Sequence, residues 1–278
     1  MVSMATEIML LREAAVLIAA AAGAYTDWKT GYIYDWITLP LIAIGAIAAI
    51  ISQQYSALAL GAIVFAAGYL FYYMGKLGGG DVKLYTGIAL MIPELNGGIY
   101  IASAAVYSSL CAIIFLSVYF VLKYARKGID LKYNSEGIMK AGFAAVFLAA
   151  YVWIISGTGI VSPAFVLVLS VPMAFGCVFL GLEKGIRKEF FLKKIRVNEI
   201  EDDEVAALDF MEPEEKQKLL GTGLGLKGII GENEKAALEK KRIKEVLVYR
   251  DLPRLGPFIF LGCIIAMAGP GITSLIMA

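Results

Sequence analysis

Three aspartates outside the charged part of this chain lie where chemistry is possible. Asp27 ends the first apolar run, Asp35 precedes the second, and Asp81 follows three consecutive glycines. The chain has no histidine, which excludes Ser-His-Asp and Cys-His catalysis and all histidine-ligated metal sites. The three cysteines lie in separate apolar segments without a C-x-x-C pair, so we expect no metal site. Acid-base chemistry is therefore left to carboxylates, lysines, tyrosines or a cysteine thiol.

The elements that must position these carboxylates have the composition of a membrane protein. Of the 278 residues, 59% are apolar and 18% are charged, whereas soluble domains carry about 25% charged residues. The charge is also uneven, because 32 of the 49 Lys, Arg, Asp and Glu residues lie between Glu183 and Arg254. We predict an all-α, polytopic bundle of membrane helices with a polar insertion before the last span.

About eight apolar segments are predicted to form the bundle. They cover residues 7–26, 36–52, 57–74, 81–92, 98–122, 139–156, 162–182 and 256–276. We divide the chain into a catalytic membrane core (1–125), an additional helix pair (126–182), a charged cytoplasmic module (183–255) and a final transmembrane helix (256–278). If the segments alternate, every Lys and Arg except Arg12 lies on one side of the membrane. The positive-inside rule then puts both termini outside and the charged module in the cytoplasm.

The charged module is expected to contain helices and flexible loops. It begins with a basic amphipathic stretch, Glu183 to Val197, whose apolar side chains should face lipid. An acidic run from Glu199 to Glu215 and a glycine-rich loop from Gly221 to Gly231 follow, and a charged helix is expected from Asn233 to Tyr249. The glycine-rich loop matches no phosphate-binding pattern, so we expect no nucleotide partner. We also expect no nucleic-acid partner.

Asp81 is the carboxylate whose position is hardest to explain by structure alone. The 12 residues from Asp81 to Ile92 make about 18 Å of helix. With Pro93 at the outer edge of a core of about 30 Å, Asp81 would lie about 12 Å inside the inner edge. An ionisable group at that depth is usually functional and faces a wet cavity. Helix capping by Asp81 is the alternative, but it leaves the three glycines unexplained.

Asp27 and Asp35 each have a simpler explanation beside the catalytic one. Asp27 could be a boundary carboxylate next to Lys29, and Asp35 is expected to be the N-cap of the second span. We keep Asp35 as a reserve candidate and pair Asp27 with Asp81. Two such carboxylates can share a proton, so that one activates water and the other protonates a scissile carbonyl.

Two short motifs resemble those of a known peptidase family. Gly78 to Lys83 (GGGDVK) is similar to the G-x-G-D signature of type IV prepilin peptidases and archaeal preflagellin (archaellin) peptidases. Asp27 to Asp35 (DWKTGYIYD) is similar to their first motif, an aspartate followed by a basic residue and an isoleucine. The resemblance extends over about residues 7–125. Tyr34 departs from it, since many members have proline there.

The resemblance implies a GxGD-type membrane aspartic protease that needs no cofactor. It implies that Asp27 and Asp81 are catalytic, with Gly78, Gly79, Gly80 and Lys83 in the second motif. The substrates would be pilin-like or archaellin precursors with a short basic leader, cut at the cytoplasmic boundary, and membrane lipid would be the other partner. Nothing matches the cysteine-bearing region of bacterial members, so we expect no methyltransferase activity, as in the archaeal enzymes.

Two other functions remain open. Presenilin-like and signal-peptide-peptidase-like proteases also use G-x-G-D, and Tyr34-Asp35 imitates their Y-D motif, although it lies in a predicted loop. A membrane transporter could also use an intramembrane aspartate beside a glycine-broken helix.

Overall fold

A computed structural model describes residues 4–200, 204–221, 229–241 and 243–277. The chain divides into two compact units. The first, here called the membrane unit, comprises Met1–Tyr119, Lys140–Phe179 and Arg254–Ala278. The second, here called the polar unit, comprises Phe120–Met139 and Leu180–Pro253.

Most of the described residues are helical. The helices are α1 (Met4–Thr30), α2 (Asp35–Ile51), α3 (Tyr55–Tyr73), α4 (Gly79–Met91), α5 (Tyr100–Lys127), α6 (Ser135–Thr158), α7 (Pro163–Phe190), α8 (Pro213–Leu220), α9 (Glu232–Lys240), α10 (Gly256–Ala268) and α11 (Ile272–Met277). The strands are β1 (Glu94–Leu95), β2 (Gly98–Ile99), β3 (Leu192–Arg196), β4 (Glu204–Ala206), β5 (Ile229–Ile230) and β6 (Glu245–Tyr249).

The membrane helices follow the predicted apolar segments but differ in length. Helices α1, α3, α5, α6 and α7 are long and apolar enough to cross a membrane, which confirms a multi-pass helical membrane protein. Helices α2 and α10 are shorter apolar helices, and α4 has 13 residues. The last predicted segment is broken between Gly269 and Gly271, where Pro270 cannot continue the helix. Five helices, rather than eight, therefore meet the length of a span within the described residues.

Helix α4 can be short because protein surrounds it. Its residues from Thr86 to Met91 are all buried, and α2 and α3 pack against it. Glycines permit this close approach, since a Cβ on Gly45 or Gly61 would come within 2.7 Å or 2.5 Å of the Leu90 side chain. Small residues bring helix backbones together in this way inside membranes. The helix that carries Asp81 in its first turn is therefore enclosed by its neighbours.

The polar unit contains a β-sheet, so the prediction of an all-α chain is wrong there. Four antiparallel strands pair in the order β3-β6-β4-β5, and Ile230, Leu238, Val246 and Val248 lie in the core of this unit. The short β1–β2 hairpin in the membrane unit is a second departure.

Two predicted helices of the charged module are partly strands. The stretch from Glu183 to Val197 is helical only to Phe190 and then forms β3, with Phe191 and Ile195 buried in protein instead of facing lipid. The helix expected from Asn233 to Tyr249 ends at Lys240, and the last five residues form β6. Most of the expected glycine-rich loop (residues 222–228) and part of the acidic run (201–203) lie outside the described residues.

Candidate active site

Asp27 is buried at the point where two helices of the membrane unit meet. It lies in the last turn of α1 and its exposed fraction is 6%. A carboxylate is unfavourable near a helix C-terminus, where the backbone carbonyls point outward. Here the backbone N–H of Gly256, the first residue of α10, donates a hydrogen bond of 2.8 Å to Asp27 Oδ2. The start of α10 thus supplies the donor that the end of α1 cannot.

Asp81 occupies the first turn of α4. Its carboxylate accepts a hydrogen bond of 3.2 Å from the backbone N–H of Gly78, the residue before the helix. A carboxylate at this position stabilises a helix N-terminus, so Asp81 contributes to capping without being the N-cap residue. Asp81 is also within electrostatic reach of Asp27. The structure therefore brings together the two carboxylates that the sequence analysis paired.

The three glycines before Asp81 have different surroundings. A Cβ on Gly80 would lie 2.7 Å from the backbone oxygen of Ile33, in the turn after α1. A Cβ on Gly78 would lie 2.9 Å from Asp81 Oδ2, whereas one on Gly79 would meet only the Tyr72 ring at 3.6 Å. A side chain at the third position would meet backbone, one at the first would displace the Asp81 carboxylate, and one at the second is tolerated. The Ile33–Gly80 contact joins the two predicted motifs directly.

A second contact between the motifs involves Lys83 and Asp35. Lys83 Nζ lies 2.5 Å from Asp35 Oδ1, and the two side chains are 35% and 58% exposed. Asp35 is the first residue of α2, and Tyr34 is the N-cap. The expectation that Asp35 caps the helix is therefore wrong. Lys83 bonds the reserve carboxylate, which leaves Asp27 as the more buried partner for Asp81.

Sequence analysis missed two residues near Asp27, Arg254 and Gly256. The Arg254 guanidinium donates to the backbone carbonyl of Trp28, one of the last carbonyls of α1, and its charge acts on Asp27. A helix C-terminus leaves such carbonyls without an intrahelical partner. The only signal in the sequence was the stretch from Asp251 to Pro257 (DLPRLGP), which places an arginine and a glycine just before an apolar helix.

The chemistry open to this arrangement is that of two neighbouring carboxyl groups. Such a pair can hold one proton between them, so that one group accepts a proton from water while the other donates one to a carbonyl oxygen. Among the described residues, no group of three His, Cys, Asp or Glu side chains could hold a metal ion.

Fold and site together define a multi-pass helical membrane protein with two carboxylates held by converging helices. Residues 14–122 match the family model of the type IV leader peptidase family. The matched region contains both motifs and both aspartates. The match bears out the predicted family over these residues, and it indicates a leader-peptidase-like protease. No curated protein and no solved structure matches the chain.

Proposed function

We propose that this protein is a membrane aspartic endopeptidase that removes the short basic leader from type IV pilin-like or archaellin precursors. The observation that carries the proposal is that α1 and α4 pack together and place Asp27 and Asp81 within electrostatic reach of each other. Both residues lie inside the region that matches the leader peptidases. The family supports protease activity on precursors of the pilin type. Asp27 and Asp81 as the catalytic pair, and the choice of precursor, are our own inference.

In the proposed reaction, a water molecule between the two carboxyl groups attacks the scissile peptide carbonyl. The ionised aspartate accepts a proton from that water, and the protonated aspartate donates its proton to the carbonyl oxygen. Proton transfer to the leaving amine then completes hydrolysis. Neither a metal nor a cofactor is required, and no methyl transfer is proposed.

The depth of the site suits a substrate with a cytoplasmic leader and a membrane helix. Trp28, Tyr32 and Trp36 follow Asp27 closely and are all more than half exposed. Tryptophan and tyrosine concentrate at the level of the lipid headgroups, so these side chains suggest that Asp27 lies near that level. Lysines and arginines concentrate on the cytoplasmic side, and Lys29, Lys83 and Arg254 are close to the site in sequence or space. We therefore propose that the site faces the cytoplasm. We also propose that α2, α4 and α10 cross the membrane beside the five longer helices, which puts both termini outside.

The experiment that tests this function is cleavage of a membrane-inserted precursor by the purified full chain in liposomes, with mass analysis of both products. The precursor carries a short Lys/Arg leader followed by an apolar helix, and a matched precursor carries Glu at the leader's basic positions. We expect one cut between leader and helix, and poorer cleavage of the matched precursor. Cleavage within the apolar helix would instead favour the presenilin-like alternative. Ion-dependent flux without any cleavage would favour a transporter and contradict the proposal.

A further inference from the structure

The last membrane helix approaches one of the proposed catalytic residues, although it lies outside the region that matches the peptidase family. The family match ends at residue 122, and α10 begins at Gly256. Helices α1 and α10 pack against each other, and the Gly256 N–H bonds Asp27 Oδ2. We propose that the start of α10 belongs to the active site and that Gly256 and Arg254 are positioning residues for Asp27. This inference rests on the proposed function.

The contact at Gly256 leaves no room for a side chain. A Cβ there would lie 2.8 Å from Asp27 Cβ, 2.9 Å from Asp27 Oδ2 and 3.2 Å from Ala24 Cα. The first two atoms belong to the proposed catalytic side chain and the third belongs to the backbone of α1. A larger residue must therefore displace the carboxylate, the helix or both. Gly256 is thus required both for its N–H and for its lack of a Cβ.

The bond from Gly256 also determines which oxygen of Asp27 is available for reaction. The N–H occupies Oδ2, so Oδ1 is the atom left to accept a proton from water. Hydrogen bonds donated to a carboxylate favour its ionised form, and a helix N-terminus has the same effect. These contacts hold the Asp27 carboxylate in place, as the Gly78 N–H does for Asp81.

Arg254 acts on the same carboxylate through the end of α1. Its guanidinium bonds the carbonyl of Trp28, the residue next to Asp27, and its positive charge is within electrostatic reach of Asp27. This bond fixes the last turn of α1 against the segment that leads into α10. Arg254 therefore restrains the backbone that carries Asp27 and adds a charge that complements it.

The test compares kcat and KM for the precursor described above, using the full chain and four substitutions. Gly256→Ala introduces the Cβ, and its matched control is Gly142→Ala in α6, where a Cβ would meet nothing within 4 Å. Arg254→Gln removes the charge and Arg254→Lys keeps it. Thermal unfolding of each variant is measured in parallel, so that loss of the fold is distinguished from loss of positioning.

We expect Gly256→Ala to lower kcat by about 10- to 100-fold, because misplacing a reacting group by about 1 Å costs about that much. KM should stay within about twofold of the wild-type value, since the precursor's leader and helix are not involved. Arg254→Gln should lower kcat by about tenfold, and Arg254→Lys should recover most of that loss because it keeps the charge. Gly142→Ala should behave as wild type.

The inference is overturned if the wild type cleaves the precursor and Gly256→Ala has the kcat of Gly142→Ala. It is equally overturned if Arg254→Gln and Arg254→Lys lose activity alike while unfolding at lower temperature, which indicates a purely structural role. If Gly256→Ala does not fold, the comparison of kcat between Arg254→Gln and Arg254→Lys tests the inference by itself. If the wild type cleaves no precursor, the proposed function fails and this inference fails with it. If the wild type cleaves the precursor but the variants behave as just described, only this inference fails.

Discussion

Gly80 offers a sharp test of how the two motifs are joined, because its neighbour provides a matched control. A Cβ on Gly80 would lie 2.7 Å from Ile33 O, 2.9 Å from Ile33 Cβ and 3.3 Å from Ile33 Cα. Two of these atoms belong to the backbone, so no side-chain rotation can relieve the contact. Ordinary contacts begin at 3.4 Å, so the start of α4 must move away from Ile33 by about 0.7 Å, the difference between 3.4 Å and 2.7 Å.

The expected consequence of Gly80→Ala is loss of activity with modest loss of stability. Inserting a methyl group into a packed contact typically costs about 1–3 kcal/mol, partly offset because alanine favours a helix over glycine by about 1 kcal/mol. The displacement of about 0.7 Å shifts Asp81, the next residue, relative to Asp27. We therefore expect kcat to fall by about 10- to 100-fold.

Gly79→Ala is the control because it adds the same methyl group one residue earlier in the same helix. Its Cβ would meet only the Tyr72 ring, at an ordinary 3.6 Å. We expect this variant to cleave the precursor at nearly the wild-type rate. The assay is initial cleavage rate at saturating precursor, with circular dichroism to confirm folding. Equal rates for Gly79→Ala and Gly80→Ala would refute the reasoning that the Ile33–Gly80 contact sets the position of Asp81.

Three further predictions concern the ion pair between the motifs, a buried hydroxyl and the polar unit. Asp35→Asn breaks the exposed pair with Lys83, which should cost at most about 1 kcal/mol and leave most cleavage activity; a loss as large as that of Asp27→Asn would show that Asp35 is essential. Thr38 is fully buried, and its hydroxyl has no hydrogen-bond partner in the described part of the chain. Because an unpaired buried polar group costs about 1–3 kcal/mol, Thr38→Val should leave the thermal unfolding temperature unchanged or raise it, and a clear decrease would reveal a partner for the hydroxyl. Burial and the charge of Asp209 raise the pKa of Tyr249 to about 12. Because the pKa is higher in the folded state, Tyr249 stabilises the fold below a pH of about 10, and this contribution is lost as the pH rises towards 12. In the full chain, the difference in unfolding temperature between wild type and Tyr249→Phe should therefore shrink between these two pH values. A constant difference would contradict this prediction.

Local sequence patterns were sufficient to predict the membrane helices and the two aspartate motifs. Long apolar runs must form helices in lipid, because only helices satisfy their own backbone groups within one segment. The aspartate motifs are likewise short runs of adjacent residues, Asp27 to Asp35 and Gly78 to Lys83. These features depend on neighbours in sequence, and sequence patterns describe such neighbours well.

The features that sequence reasoning missed depend on contacts between distant residues. The stretch from Leu192 to Arg196 (LKKIR) fits a basic amphipathic helix, but it pairs with Glu245–Tyr249 more than 40 residues away and becomes a strand. The hydrogen bond between Asp27 and Gly256 joins residues 229 positions apart. For Asp35, a helix N-cap was predicted from residue type alone, whereas Lys83 pairs with its carboxylate across 48 residues. In each case a tertiary partner decides the role of the residue.

The central claim, that Asp27 and Asp81 form one catalytic pair, is tested most directly by single Asn substitutions at both positions. Asparagine keeps the shape of each side chain and removes its ionisable proton. In liposomes with the basic-leader precursor, we predict cleavage by the wild type and no detectable cleavage by either Asp27→Asn or Asp81→Asn, with wild-type folding in both. Cleavage that survives in either folded variant would contradict the two-aspartate mechanism.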